Sequence, residues 1–357
     1  MLRRVPMVQS FMSTHTSGAV RFGRELYLLF GAEQSLFTRK LEAALIFYRA
    51  DYQFRRKRGL PDVKALEARA GTHQVPVLLT PENWAIADTT PIIDMLDQRF
   101  HLRRLFPHGS LGVLAHIVEE HIDEWIARVM VHYRWHYPNS AAFASRAIAD
   151  GNETEAANVR EWGPRACRAT GAETPFHQKA AEEEYERLLD MAEVQLGCSR
   201  YLLGDRPSVV DCAMLGGLRA HIAHDPDSRK ILDRFPRVLA WTQTNANRWD
   251  GSGEWAPFPE STAFGRHVLA ECPSTYRPFL LANAQALVDG RKAFAIDTYG
   301  EPASYLARSY PEYSRAMVRE RVALRLSIDE RKEVETWLMT INLADCFTPE
   351  DVGAGTH

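Results

Sequence analysis

The chain has 357 residues, enough for one large domain or two ordinary ones, and its 45% hydrophobic and 25% charged residues make an ordinary globular composition. A net charge of −3 supplies no whole-chain attraction to nucleic acid or to an anionic membrane, and no apolar run approaches the roughly 20 residues a membrane-spanning helix needs, so neither nucleic acid nor a transmembrane segment is expected. Five scattered cysteines (Cys167, Cys198, Cys212, Cys272, Cys346) without a C-x-x-C pair exclude a zinc ribbon and a thioredoxin-type dithiol, and fit a reducing compartment.

Residues 1–23 carry Arg3, Arg4 and Arg21 among serines and threonines, with no acidic residue before Glu25. This composition belongs to a disordered tail or to an organellar transit segment, which leaves the cytoplasm and an organelle as alternative locations. The first ordered element is predicted as a strand over Glu25–Phe30. Phe37, Leu41, Ala44 and Tyr48 then recur on one helical face. DYQFRR (51–56) reads as a short strand, and Pro61 and Asp62 open a short helix that Gly71 closes. VPVLLT and NWAIA are two strands of a hairpin turned at Pro81, Glu82 and Asn83, and Asp88 caps a helix running to about Phe100. The order is β-α-β-α-β-β-α.

Beyond Leu105 strand-like alternation nearly disappears. Helical periodicity predicts helices at about 111–135, 177–196, 209–223, 236–247 and 276–289. The Gly-, Asn-, Ala- and Thr-rich stretch 138–175 reads as an insertion or long loop, and 251–262 as a second irregular zone. Ser327 and Glu330 form a capping box ahead of a helix with the apolar stripe Val334, Trp337, Leu338 and Ile341.

Several constellations admit bland readings. HIVEEH (116–121) spaces its histidines five apart, which does not put them on one helical face. His132 and His136 have metal-ligand spacing without a third ligand, so no metal is expected. Arg55, Arg56, Lys57 and Arg58 read as a solvated strand edge, and Gly216-Gly217 as a close helix contact.

Four segments carry more information: SLFTRKLEAAL (35–45), QVPVLL (74–79), ADTTPIID (87–94) and RPSVVDCAML (206–215), the last with an S-x-x-D capping box of Ser208 and Asp211. With the element order, they resemble the glutathione S-transferase superfamily, and the length and the segment 122–137 resemble a long bacterial branch of it. The resemblance implies an α/β plus all-α fold. A thioredoxin-like N-terminal domain (24–105) precedes a large all-helical C-terminal domain (106–357), which carries an insertion near 138–175 and an extended C-terminal tail.

It further implies glutathione as a substrate, a small electrophile as its partner, and a homodimer. Pro76 would be cis, Gln74 and Val75 would dock the peptide backbone, and Asp88 with Thr89 would hold the γ-glutamyl group. Ser35 would activate the thiol as the catalytic residue, because a hydroxyl at a helix N-terminus favours a thiolate. Tyr133 and Trp135 would line the electrophile pocket. Plain readings stand beside these: Ser35, Asp88 and Thr89 as helix caps, and the two aromatics as core. Leu36 in place of the family's proline, Glu33 near the proposed thiolate, and Asp88-Thr89 in place of Glu/Gln-Ser depart from the pattern. A non-catalytic interaction module is the alternative function.

Overall fold

The computed structural model describes residues 26–243 and 249–349. The basic stretch 1–23, Glu25 and the end of the helix expected over 236–247 lie outside them. The N-terminal part runs β1 (Tyr27–Gly31), α1 (Leu36–Tyr48), β2 (Tyr52–Arg56), α2 (Val63–Ala70), β3 (Val77–Leu79), β4 (Ala85–Ala87) and α3 (Thr89–Arg99). Its sheet has the order β2-β1-β3-β4. β1 and β2 are parallel, and the β3–β4 hairpin is antiparallel with Leu78 opposite Ile86. Phe30 and Val77 bury one sheet face against Leu66 of α2. The opposite face, through Tyr27 and Leu29, joins α1, α3 and the helices that follow in one continuous core.

Those helices begin with α4 (Gly109–Glu120), a π-helical turn (His121–Ile126) and α5 (Ala127–His136), which form one rod over the span predicted for it. The expectation of a long loop at 138–175 is corrected by α6 (Pro138–Ile148), α7 (Glu153–Arg160) and α8 (Trp162–Ala169). Local chemistry explains them. Pro138 starts the first helix, Asn152 caps the second by accepting from Glu155 N–H at 3.0 Å, and the alanines favour helix. α9 (Pro175–Gln195) and α10 (Val209–Gly217) follow.

Ser208 and Asp211 form their capping box, with Ser208 N–H donating to Asp211 at 2.7 Å. Gly216 lets α10 lie directly on α1, since a Cβ there would sit 2.7 Å from the Leu36 carbonyl oxygen and 3.0 Å from Lys40 N. The chain continues through α11 (Pro226–Arg229), α12 (Pro236–Gln243), α13 (Ala263–Glu271) and α14 (Tyr276–Val288).

The last part holds a β-hairpin, β5 (Ala293–Thr298) and β6 (Glu301–Leu306), then α15 (Ser309–Leu324), α16 (Ile328–Thr340) and α17 (Ala344–Phe347). The hairpin, α13 and α15 were not anticipated, whereas α16 starts at the expected Ser327–Glu330 box. This extension folds back on the molecule. Arg128 pairs with Glu184 at 2.6 Å, and the Tyr299 hydroxyl of the hairpin bonds to both. Arg321 of α15 and Arg325 just after it reach Asp94 of α3 at 3.0 and 2.6 Å. Among the described residues no helix is long and apolar enough to cross a membrane.

Candidate functional site

The strand-to-helix loop after β1 is set by two short contacts. Ala32 N–H donates to Thr38 Oγ1 at 3.3 Å, and a Cβ at Gly31 would collide with that threonine at 2.3 Å. Ser35 is the N-cap of α1 in extended geometry (φ −94°, ψ 120°), its Oγ accepting from Thr38 N–H at 3.3 Å. The hydroxyl proton is not consumed by that bond. Glu33 is neutralised by Arg56, Nε to Oε1 2.9 Å. Burial works to raise the Glu33 carboxyl, but Arg56 outweighs it and keeps the group below its ordinary range.

In the basic run at the end of β2, Arg55, Arg56 and Arg58 are exposed as a solvated edge requires, and Lys57 departs from it. Lys57 is 4% exposed and its ammonium donates to the carbonyls of His73 and Gln74 at 2.6 and 2.9 Å. Arg56 and Arg58 turn to Asp150 and Glu155 beside α6 and α7. Lys57 thereby pins the backbone just before Val75. The Val75–Pro76 bond is cis. Among the described residues, no hydrogen bond engages the N–H or C=O of Val75, although the flanking chain is bonded on both sides.

Asp88 stands at the N-cap position of α3 with φ 72° and ψ 121°, a backbone conformation costly for a side chain larger than hydrogen, and it makes no side-chain cap bond. Burial pushes its carboxyl up, with Lys40 offsetting part of the shift. Thr89 beside it is buried.

Two cavities meet at Val75. The first, about 160 Å³, has Gln74, Val75, Pro76, Asp88 and Thr89 on its sheet side. Glu120, Asp123 and Glu124 from the α4–π rod face them, and Arg308, Tyr310 and Ser314 of the extension close it. The second, about 280 Å³, lies between the loop Gly31–Gln34 and the end of α6. Ser35 lies in the chain between Gln34, a wall of the second cavity, and Phe37, a wall of the first. It is itself a lining residue of neither.

Tyr133 and Trp135 are placed elsewhere. Tyr133 is 3% exposed, stacked on Tyr137 and edge-on to Tyr185, and Trp135 packs on Gly163 of α8. The aromatic walls of the first cavity are Phe37 and Tyr310 instead. His132 is held by Glu182 at 2.6 Å with His136 stacked on it.

Sequence reasoning missed the acidic wall. Its signal was present: four carboxylates in an otherwise apolar helix, at i,i+4 spacing. Glu119 and Asp123 both meet the ammonium of Lys40, which Thr90 also accepts from at 3.0 Å. Glu120 and Glu124 face the cavity. Burial opposes the charge of Lys40, yet Asp123 and Glu119 outweigh it and hold the ammonium far above its ordinary range. Burial pushes Glu119 and Glu124 up to about 7, and drives Glu120 well above the usual carboxylate range.

Comparison with known proteins fits this architecture. No curated protein matches the chain. Among solved structures it is similar to a glutathione S-transferase from Rhodospirillum rubrum (16% identity, 62% of this chain and 90% of that one, TM-score 0.43). It is also similar to a β-etherase from Sphingobium sp. strain SYK-6 (14%, 62% and 97%, 0.44) and to a glutathione-bound glutathione S-transferase from Methylobacillus flagellatus (17%, 63% and 98%, 0.39). Residues 29–104 match the family model of the glutathione S-transferase N-terminal domain, and 123–244 that of the C-terminal domain. With both domain models matched in order, over the thioredoxin-like sheet and the helices behind it, the chain belongs to the glutathione S-transferase superfamily.

Proposed function

We propose that the protein binds glutathione and directs its thiolate at a small electrophile, either conjugating it or expelling a leaving group. The observation that carries this reading is the open main chain of Val75 at the junction of the two cavities. A peptide can satisfy an exposed N–H and C=O pair by pairing as an extra strand, and backbone groups without partners are rare in buried positions. On this reading the γ-glutamyl end enters the first cavity, where Asp88 meets its ammonium and the N-terminus of α3 beside Thr89 receives its carboxylate. The cysteinyl part pairs with Val75, and the sulfur lies near the N-terminus of α1. There Ser35 accepts from Thr38 N–H and donates a hydrogen bond to the sulfur while keeping its proton, which favours the thiolate at neutral pH once the thiol proton has left to solvent. The thiolate then supplies the electron pair that forms the carbon–sulfur bond, and the leaving group departs with the pair it shared with carbon.

Titrating glutathione against the protein by calorimetry, followed by turnover with a chlorodinitrobenzene, tests the reading. Binding together with Ser35-dependent turnover is the expected result. Well-folded protein that neither binds glutathione nor conjugates it would leave the alternative of an interaction module.

A further inference from the structure

The first cavity gathers more carboxyl groups than glutathione can use. Asp88, Glu120, Asp123 and Glu124 line it, and Glu119 lies behind Asp123. Against these five carboxyl groups stand two cations. Arg308 is taken by Glu124 at 3.2 Å, and Lys40 is shared between Glu119 and Asp123. Asp123 Oδ1 has no hydrogen-bond partner although Asp123 is 6% exposed, and Glu120, 2% exposed, has the His116 ring 3.4 Å from its Oε1. A buried carboxyl oxygen without a partner is costly, so a site that keeps one on a cavity wall beside a second buried carboxyl is built for something that arrives. The rings of Phe37 and Tyr310 border the same space. Carboxylates combined with aromatic faces are the chemistry that recognises an organic cation, through charge-assisted hydrogen bonds and cation–π contact.

A metal ion fits less well. The ligand atoms of His116, Glu119 and Glu120 lie within 4.8 Å of one another. However, Arg321 Nε–H donates into His116 Nδ1 at 3.2 Å, which puts the imidazole proton on Nε2. Nε2 is the nitrogen that faces Glu120 at 3.4 Å, and with a proton on it no lone pair is left there for a metal.

We infer that the first cavity is a subsite for an organic cation, a primary ammonium or guanidinium group held by Glu120 and Asp123 against Tyr310, and that the second substrate carries this group. The inference deepens the transferase reading and rests on it at one point: glutathione's own ammonium is met by Asp88, which leaves Glu120 and Asp123 for the other molecule.

Putrescine and butanediol of the same chain length differ only in their cationic ends. Calorimetry with each, on protein alone and on protein saturated with glutathione, is the test. Putrescine binds and butanediol does not, with or without glutathione, and Glu120→Gln weakens putrescine about tenfold while leaving glutathione affinity unchanged. Tyr310→Leu weakens putrescine as well, and gives a second reading should Glu120→Gln perturb the buried cluster. Equal binding of the two probes, unchanged putrescine affinity in both variants, or loss of putrescine on glutathione saturation would each overturn the inference. So would manganese binding in place of putrescine. Putrescine binding by protein that fails to bind glutathione would sustain the cation subsite and remove the transferase reading.

Discussion

Lys40 of α1 ends on Glu119 of α4, and neither side chain has any solvent exposure. With Asp123 as the third member, this ion cluster joins the sheet part of the molecule to the helical part directly beneath the first cavity. A buried pair of this kind adds little net stability against an apolar substitute, but its members depend on each other completely.

Replacing Lys40 by Met therefore leaves two carboxylates buried without their ammonium. The expected loss is about 3–5 kcal/mol of folding stability, measured by urea denaturation. Adding Glu119→Gln and Asp123→Asn to Lys40→Met recovers a large part of that loss. A triple variant no more stable than the single one would show that the cluster is not the source.

Asp88 offers a test of strain against function. With φ at 72° and no cap bond, its backbone suits glycine better than aspartate. Asp88→Gly is expected to raise the melting temperature, by relief of about 1–2 kcal/mol, while weakening glutathione about tenfold. A drop in stability would mean that the carboxylate serves the fold.

Ser35 separates its two roles by kinetics. Ser35→Ala costs about 1 kcal/mol as a lost cap in either case. Thiol activation predicts in addition that turnover falls at least tenfold and that the apparent pKa of bound glutathione rises, with partial recovery in Ser35→Thr. Unchanged turnover in Ser35→Ala would reduce the hydroxyl to a cap.

The pH dependence of stability follows from the acidic rod. Glu124, raised by burial from 4.5 to about 7, binds its proton more tightly in the folded state than in the unfolded one. Its contribution to stability is therefore complete below about pH 4.5 and is lost as pH rises through about 7. Glu119 acts in the same sense. Melting temperatures are expected to fall between pH 5 and 7 from these groups, and Glu124→Gln to flatten that slope. An unaltered slope would assign the dependence to other residues.

Much of the sheet part was legible because its signals are local. Asp62, Gly71 and the Pro81–Asn83 turn punctuate short elements, and Ser208, Ser327 and their acidic partners declare helix starts whatever surrounds them. The stretch 138–175 misled because Gly151, Asn152 and Gly171 read as a continuous loop, when the first two mark the junction of α6 with α7 and the third follows the end of α8. β5 and β6 escaped because AFAIDT and EPASYL alternate weakly, and their burial comes from Trp125 and Phe279, far away in sequence. The site divides in the same way. Residues 35, 75 and 88 lie in motifs. Tyr310, Arg308 and the aim of Glu120 depend on how a remote helix folds back, which no window of sequence contains.

That fold-back has a modular consequence. The two domain matches end at residue 244, and every residue on the sheet side of the first cavity precedes that point. Arg308, Tyr310 and Ser314, which turn the groove into a chamber, are contributed by the appended segment alone. On the proposed function, the residues that meet glutathione and one wall of its partner's chamber are thus separately encoded. Changes confined to residues 300–320 can redraw which molecules are admitted while Ser35, Val75 and Asp88 stay untouched.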